Sequence, residues 1–260
     1  MITIHNFNAD VYDEFRKFFL TSGFIDTAIY ESISAKTHVN EREAFTEYAI
    51  SIFSDDIKLF INHLHEADEF ITFINSIFDK ILKRTVHDPV WKLLNYLENE
   101  TDFFVCPASV KFHGNERYGL IRHSLLVLAN GLKLAPIMLN AEVDMYYLII
   151  SCLFHDLCKT NMYEIKTRNV KNEETGNWEK APYYKVKDSY ISYGHGIESM
   201  LRLNNYITMP DSWNHAIRWH MGAYDLSPFD QIAMDKSMSS FREVLFLHTA
   251  DMLAGHIDEI

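Results

Sequence analysis

The chain of 260 residues has few of the residues that cross-link small proteins or interrupt helices. Its three cysteines, Cys106, Cys152 and Cys158, are an odd number without the paired spacing of zinc ligands. Neither a disulfide framework nor a cysteine-based zinc site is therefore indicated, and free thiols in a reducing compartment are expected. Glycine and proline are also scarce at the start, where Gly23 is the only glycine before residue 114 and Pro89 is the first proline. This scarcity predicts helices in that region.

Basic residues are outnumbered, with 24 Lys and Arg against 36 Asp and Glu and a formal net charge of -12. This balance argues against binding long nucleic acid, which depends on neutralising many phosphates. A small phosphorylated ligand held by local cations or metals is compatible with it. The first ten residues lack the features of a secretory signal, and the longest mainly apolar run, Met145 to Phe154, is too short to cross a bilayer. We expect a soluble cytoplasmic protein without membrane contact.

Apolar residues recur at helical spacing throughout residues 1–104, for which we predict an N-terminal helical region. The stripes run from Tyr12 to Phe19, from Ala49 to Leu64, from Phe70 to Leu82 and from Trp91 to Leu97. No pattern in this region indicates chemistry. Its role is left open between capping a site, pairing two protomers of an oligomer and contacting another protein.

Residues 105–260 have a mixed pattern. Helices are predicted over about 119–134, 143–159, 197–204, 213–220 and 241–255, and alternation predicts a β-hairpin insert over about 162–187. From Lys159 to Lys187 there are seven Lys and Arg against four Glu, which fits either a solvated hairpin or an arm beside an anionic ligand. The fold class predicted is all-α, with a small hairpin insert and an N-terminal helical extension. The boundary near residue 105 rests on composition alone.

Histidine is abundant, with 13 residues, and one of them begins a candidate site. At the end of the most apolar predicted helix, His155 and Asp156 are adjacent, and Lys159 follows about one turn later. A carboxylate can bridge two metal ions while the neighbouring imidazole binds one. The pair alone is weak evidence, because such dipeptides also occur by chance.

Four further residues extend the pattern: His123, His195, His220 and Asp251. Each lies close to apolar residues or glycine, where an ionisable group is costly unless it is liganded or hydrogen-bonded. The ordered series is more specific than any of its members, and it indicates a metal site built from imidazole and carboxylate. His215 falls on another helix face and is interpreted as structural, and His248 as either a hydrogen-bond partner of the site or a packing residue.

This order of residues resembles the HD-domain superfamily of metal-dependent phosphohydrolases, whose pattern is a His, then His-Asp, then a distant Asp on an all-helical fold. The resemblance covers roughly residues 105–260 and implies an HD-type helical bundle there. The positions that match the ligands of the first metal are His123, His155, Asp156 and Asp251. His195 and His220 resemble the additional histidines of the two-metal branch, and Lys159 matches the lysine of the His-Asp-x-x-Lys variant.

The two-metal branch includes cyclic-dinucleotide phosphodiesterases of the HD-GYP type and bacterial 3′-to-5′ exoribonucleases. This chain departs from the HD-GYP type, because Met221 follows His220 where that type has a second histidine and the Gly-Tyr-Pro signature is absent. Cyclic-di-GMP is therefore a doubtful substrate. The hairpin insert is longer than in minimal HD domains, and residues 1–104 have no recognised counterpart.

The resemblance implies hydrolysis of a phosphate ester of a nucleotide, cyclic nucleotide or short oligonucleotide by a metal-bound hydroxide. It implies two divalent ions, with Mn, Fe, Ni, Co, Zn and Mg not distinguished, and catalytic roles for Asp156 and Lys159. Arg117, Arg122 and Arg218 lie near the ligands in sequence and are candidate phosphate-binding residues. The alternatives are a non-catalytic metal- and nucleotide-binding regulatory module, an enzyme like the 3′-to-5′ exoribonucleases, or a helical interaction protein with incidental histidines.

Overall fold

A computed structural model describes residues 3–5, 53–82, 84–112, 114–139, 142–173, 175–224 and 226–259. The predicted stripe from Tyr12 to Phe19, and the part of the next stripe before residue 53, lie outside the described residues. Within these ranges the protein is mostly helical, with nine α-helices, one small antiparallel hairpin and one short parallel strand pair. A predominantly helical protein with a small hairpin, as predicted, is therefore confirmed.

Three helices form the described part of the predicted N-terminal region. They are α1 (53–61), α2 (Ala67–Ser76, continued by a π-helical turn at Ile77–Ile81) and α3 (Val90–Asn99). Their apolar stripes face inward, and Phe60 packs edge-to-face on Phe73 with ring centroids 5.4 Å apart. The helical spacing predicted for these residues is confirmed.

Two apolar helices follow, the long α4 (Gly119–Met138) and the shorter α5 (Met145–Phe154). All residues of α5 except Tyr147 are buried, as expected for a helix that is apolar on every side. Residues Glu142–Asp144 form a strand, β2, that pairs in parallel with β1 (Thr3–His5). The helix predicted over about 143–159 is present but shorter, because it begins at Met145 after the strand and ends at Phe154, and a 3₁₀ turn follows at Leu157–Lys159.

Among the described residues, α4 is the one helix long and apolar enough to cross a bilayer. Of its most apolar window, 67% is buried inside the protein, which is typical of a core helix in a soluble protein. The cytoplasmic location stays a prediction.

The predicted hairpin is present, with β3 (Tyr163–Lys171) paired antiparallel to β4 (Trp178–Val186). The register runs from Tyr163 opposite Val186 at the base to Lys171 opposite Trp178 at the tip. At the base, Tyr163 and Val186 pack against the main core, whereas most of the outer residues are exposed. The hairpin is thus anchored at one end.

Four helices complete the described fold: α6 (His195–Asn204), α7 (Asp211–Trp219), α8 (Pro228–Ser240) and α9 (Arg242–Leu253, followed by a π-helical turn at Ala254–Asp258). The sequence did not predict α8, because its apolar pattern is weak and only Met234 and Ser237 are buried. Its start carried a usable signal, since Ser227 caps the helix by accepting from the Asp230 amide and Pro228 is the first helical residue.

One apolar core crosses the predicted boundary near residue 105. Phe78 of the N-terminal region stacks on Phe154 at the end of α5, with ring centroids 6.4 Å apart, and Phe103 lies 5.7 Å from the same ring. The end of α5, which leads into the candidate site, is therefore supported by aromatic side chains from the preceding region. The division into two domains stays a prediction.

Candidate metal centre

All six residues predicted as metal ligands meet in one cluster inside the helical body. Helix α4 provides His123, the end of α5 provides His155 and Asp156, and α9 provides Asp251. His195 is the first residue of α6, and His220 follows the last residue of α7. Residues separated by up to 128 positions in sequence therefore place their ligand atoms within a few ångströms of one another.

Asp156 lies at the centre of this cluster and is 2% exposed. Its Oδ1 atom is 2.5 Å from Nε2 of His195 and 3.3 Å from Nε2 of His220. Its Oδ2 atom is 3.5 Å from Nε2 of His155 and 3.9 Å from Nε2 of His123. The two carboxylate oxygens thus face two different pairs of imidazoles.

Asp251 completes one side of the cluster. Its Oδ1 atom is 3.0 Å from Nε2 of His123 and 3.8 Å from Nε2 of His155. Three sets of ligand atoms each lie within 4.8 Å of one another: His123, His155 and Asp156; His155, His220 and Asp251; and Asp156, His195 and His220. This buried group of His and Asp could hold a metal ion.

Main-chain carbonyls orient two of the imidazoles. Nδ1 of His155 lies 2.9 Å from the carbonyl oxygen of Cys152, and Nδ1 of His220 lies 2.6 Å from that of Ile217. Since a carbonyl oxygen only accepts, each Nδ1 carries the proton, and in the neutral ring Nε2 presents its lone pair to the centre. Burial lowers the pKa of His155 to about 4, which keeps this ring neutral at neutral pH.

Nε2 of His155, which faces the cluster, is buried and has no hydrogen-bond partner within the described ranges. A buried polar atom without a partner is costly, and a metal ion would satisfy it. Imidazole nitrogens and carboxylate oxygens are ligands that divalent Mn, Fe, Co, Ni and Zn accept. The residues present therefore fit a divalent metal ion.

Lys159 follows Asp156 through a short 3₁₀ turn, Leu157–Lys159, and its Nζ lies 2.6 Å from Oδ2 of Asp156. Burial alone would raise the pKa of Asp156. Lys159 and the nearby imidazoles of His155 and His195 lower this pKa by more than burial raises it, so it lies well below its usual value. Burial also disfavours charge on Lys159, yet Asp156 raises its pKa overall. Both groups are therefore ionised at neutral pH.

His123 has two carboxylate neighbours. Burial lowers its pKa, but hydrogen bonds with Asp251 and Glu259 outweigh burial and raise the pKa to about 9. Oε2 of Glu259 lies 3.4 Å from Nδ1 of His123. Glu259 is not among the residues predicted from the sequence, because it reaches the site only after the π-helical turn that follows α9, and no fixed helical spacing relates it to Asp251.

The position of His195 depends on how α6 meets α7. A Cβ atom on Gly196 would lie 2.2 Å from the carbonyl oxygen of Arg218, so only glycine allows the two helix ends to approach this closely.

A cysteine side chain contacts the other ring nitrogen of His195. Nδ1 of His195 lies 3.4 Å from Sγ of Cys158. Burial raises the pKa of Cys158 to about 12, so the sulfur is a neutral hydrogen-bonding group and not a thiolate. The sequence pattern predicts only a free thiol at Cys158 and not this contact, because Cys158 and His195 are 37 positions apart in the chain.

The three arginines predicted to bind phosphate have other contacts in the structure. Arg117 and Arg218 each stack over the aromatic ring of the next residue, at 4.8 and 4.4 Å. Arg122 donates to the carbonyl oxygens of Ile61 and Leu64, at 3.1 and 2.7 Å, and so connects α4 to the end of α1. Phosphate binding by these residues stays a prediction.

Two further histidines lie outside the ligand cluster. Nδ1 of His248 is 2.6 Å from the carbonyl oxygen of His220, so this side chain donates to the backbone of a predicted ligand. Nδ1 of His215 is 2.9 Å from Oγ of Ser237, and its ring stacks on Phe241. Hydrogen bonding near the site for His248 and a packing role for His215 agree with the sequence interpretation.

A cavity of about 330 Å³ opens onto the cluster. Its lining combines predicted ligands with Lys159 and with Tyr163 and Val186 at the base of the hairpin. A second cavity of about 520 Å³ adjoins it and shares His195 and Met221. The cluster therefore lines a cavity that can hold a small ligand, and the base of the hairpin forms part of its wall.

Comparison of the chain with protein-family models, with curated proteins and with solved structures finds no significant match. The functional argument therefore depends on the residues and geometry of the cluster.

Proposed function

We propose that this protein is a metal-dependent phosphohydrolase or phosphodiesterase of the HD type, acting on a phosphate ester of a nucleotide, cyclic nucleotide or short oligonucleotide. The observation that carries the proposal is the position of Asp156, whose two carboxylate oxygens face two different pairs of imidazoles. A carboxylate in this arrangement is suited to bridge two divalent ions. The order of the ligands along the chain, His, His-Asp and a distant Asp, supports the HD type.

The geometry divides the ligands into two sets that share Asp156. Oδ2 of Asp156 would act with His123, His155 and Asp251, and Oδ1 with His195 and His220. Divalent ions held there supply a water of lowered pKa and offset charge on phosphoryl oxygens. Four imidazoles and two carboxylates provide the ligands of this proposed site, which therefore needs no cysteine.

Lys159 adds a cation at the edge of the same cavity. Its salt bridge with Asp156 holds the ammonium group beside the ligands, and its raised pKa keeps the charge at neutral pH. A fixed cation at this place would bind a phosphoryl oxygen and stabilise the charge that develops during hydrolysis. We therefore assign Lys159 to substrate binding and to charge stabilisation.

The proposal is tested by elemental analysis of the purified protein and by hydrolysis of bis(p-nitrophenyl) phosphate with added Mn²⁺. We expect bound divalent metal and metal-dependent turnover, and Asp156→Ala removes both. Asp235→Ala is the matched control, because Asp235 is exposed on α8 away from the cluster, and it retains both. Unchanged metal content in Asp156→Ala would contradict the assignment.

The regulatory-module alternative gives a different result in the same experiment. A binding module retains metal and binds nucleotide but turns over neither the diester nor a panel of nucleotides, cyclic nucleotides and oligonucleotides. The presence of a ligand at every position that matches the HD pattern favours turnover over the binding module.

A further inference from the structure

The two faces of the hairpin carry different charges. Side chains alternate along a strand, so one face runs from Tyr163 and Val186 at the base, past Tyr184, to Lys180, Lys171 and Trp178 at the tip. We call this the lysine-tryptophan face. Among the described residues of the two strands, it carries no carboxylate, because Glu164 and Glu179 both lie on the opposite face.

The cations of the opposite face are already engaged within the protein. Nζ of Lys166 lies 3.0 Å from Glu164, and Nζ of Lys185 lies 2.6 Å from Asp188. Arg168 stacks over a tyrosine ring at 5.5 Å. The positive charges of these three side chains therefore already interact with carboxylates or with an aromatic ring of the protein.

The cations of the lysine-tryptophan face are available to a ligand. Within the described part of the chain, neither Lys171 nor Lys180 makes an ion pair, and both are exposed. Trp178 is 71% exposed beside them, although an indole of this size is normally packed. Two available ammonium groups beside an exposed aromatic ring are the elements of a site for single-stranded nucleic acid.

The same face leads to the candidate metal centre. Tyr163 and Val186, at its base, line the cavity that contains Asp156, Lys159 and His195. The register places the tip eight residues further along the strand, a distance of about 26 Å. A ligand that lay along the face would have one end at the cluster and the other at Trp178.

We propose that the lysine-tryptophan face binds a single-stranded oligonucleotide and leads one of its phosphates to the metal centre. Bases would stack on Trp178, and phosphates would pair with Lys171 and Lys180. The net charge of -12 over the whole chain opposes wider wrapping and limits binding to this short basic segment. This inference rests on the proposed function and narrows its substrate class to oligonucleotides.

Two double variants on opposite faces of the hairpin test the lysines. Lys171→Gln with Lys180→Gln removes two charges from the lysine-tryptophan face, and Lys166→Gln with Arg168→Gln removes two from the other. Binding of the metal-loaded protein to fluorescein-labelled oligothymidylate and oligouridylate with phosphorothioate linkages is followed by anisotropy at several salt concentrations. The first variant lowers the slope of log affinity against log salt by about 1.4, at about 0.7 per phosphate contact, and the second leaves it unchanged.

Trp178 is tested separately. Trp178→Ala weakens oligonucleotide binding about fivefold to a hundredfold if a base stacks on the indole, and Trp178→Phe retains most of the affinity. The side chain is exposed, so neither change alters the thermal unfolding temperature measurably. Equal affinity of the alanine variant and the wild type would overturn stacking at this site.

The outcomes separate this inference from the proposed function. Hydrolysis of bis(p-nitrophenyl) phosphate by the hairpin variants equals that of the wild type, because this small diester reaches the cluster without the face. If the wild type hydrolyses neither the diester nor the panel of nucleotides, cyclic nucleotides and oligonucleotides, the proposed function fails, while the anisotropy measurement still decides whether the face binds an oligonucleotide. If the wild type is active but the two double variants bind the oligonucleotides with the same affinity and salt dependence, the inference about the face is wrong and the proposed function stands. The same conclusion follows if the wild type binds neither oligonucleotide.

Discussion

The N-terminal helices and the candidate metal centre share one core but differ in what they bury. Helices α1 to α3 bury mainly apolar side chains, such as Phe53, Phe70 and Phe73, all at 0% exposure. The region around Asp156 buries ionisable groups instead, including His155 at 0% exposure. Burying apolar surface stabilises a fold, whereas burying charge costs free energy unless each charge is paired.

Ion pairs within the cluster reduce the free-energy cost of burying its charges. Asp156 is matched by Lys159, and Asp251 by His123, while His155 is kept neutral by burial. The N-terminal helices thus bury surface that stabilises the fold, whereas the cluster buries candidate metal ligands, and the stacked rings of Phe78 and Phe154 connect the two regions. Changes in the two regions should therefore have separable effects.

The largest expected effect on stability is in the apolar region. Phe73→Ala removes a fully buried ring that packs on Phe60, and we expect the free energy of unfolding to fall by about 3–5 kcal/mol. Urea denaturation measures this loss, and elemental analysis of the folded protein shows unchanged metal content. Loss of metal at full stability would contradict the separation of the two regions.

Arg122→Ala tests the connection between the regions. Loss of its hydrogen bonds to Ile61 and Leu64 is expected to lower the free energy of unfolding by about 1–3 kcal/mol, without changing metal content or diester hydrolysis. The neighbouring Arg117→Ala is the control, and it changes stability by at most about 0.5 kcal/mol. A raised KM for a phosphate substrate at unchanged stability would instead support the predicted phosphate-binding role of Arg122.

Gly196→Ala alters the geometry of the centre from outside it. The added methyl group would meet the carbonyl oxygen of Arg218, so α6 must shift, at a cost of about 1–3 kcal/mol. His195 would move with the helix, and calorimetric titration is expected to show weaker binding of one metal ion. Gly176→Asn is the control, because that position has open space around it and a left-handed conformation that asparagine tolerates.

Cys158→Ala gives the smallest expected effect. It removes the neighbour of Nδ1 of His195, and loss of such a partner lowers metal affinity about tenfold, or about 1.4 kcal/mol. Competition with a chromogenic chelator measures the change. Cys106→Ala is the matched control, since it is also a buried thiol but contacts a main-chain carbonyl instead of a predicted ligand. Equal affinities of the two variants would show that Cys158 does not orient His195.

The local sequence pattern predicted some of the described helices and strands but not others. The apolar periodicity of α2 and α5 and the alternation of β3 and β4 were sufficient, because one face or all sides of each element are buried or paired in a regular way. The short strand β2 and the helix α8 were missed. A parallel pairing with residues 3–5 and a helix with two buried residues leave little periodicity to detect.

The candidate site shows the same division. Its six candidate ligands and their order along the chain could be named from the sequence, because His and Asp beside apolar residues are unusual. Glu259 and the hydrogen bond of Cys158 could not be, since each depends on how one helix end is placed against another.

Residue identity alone thus determined the helical character of the described segments and the chemical nature of the candidate ligands, because both follow from short-range pattern and side-chain chemistry. Only the folded chain decided that Asp156 faces two pairs of imidazoles, that Arg122 connects α4 to α1, and that the lysine-tryptophan face leads to the centre. These features require residues distant in sequence to be brought within a few ångströms, and that distance is set by the packing of the helices.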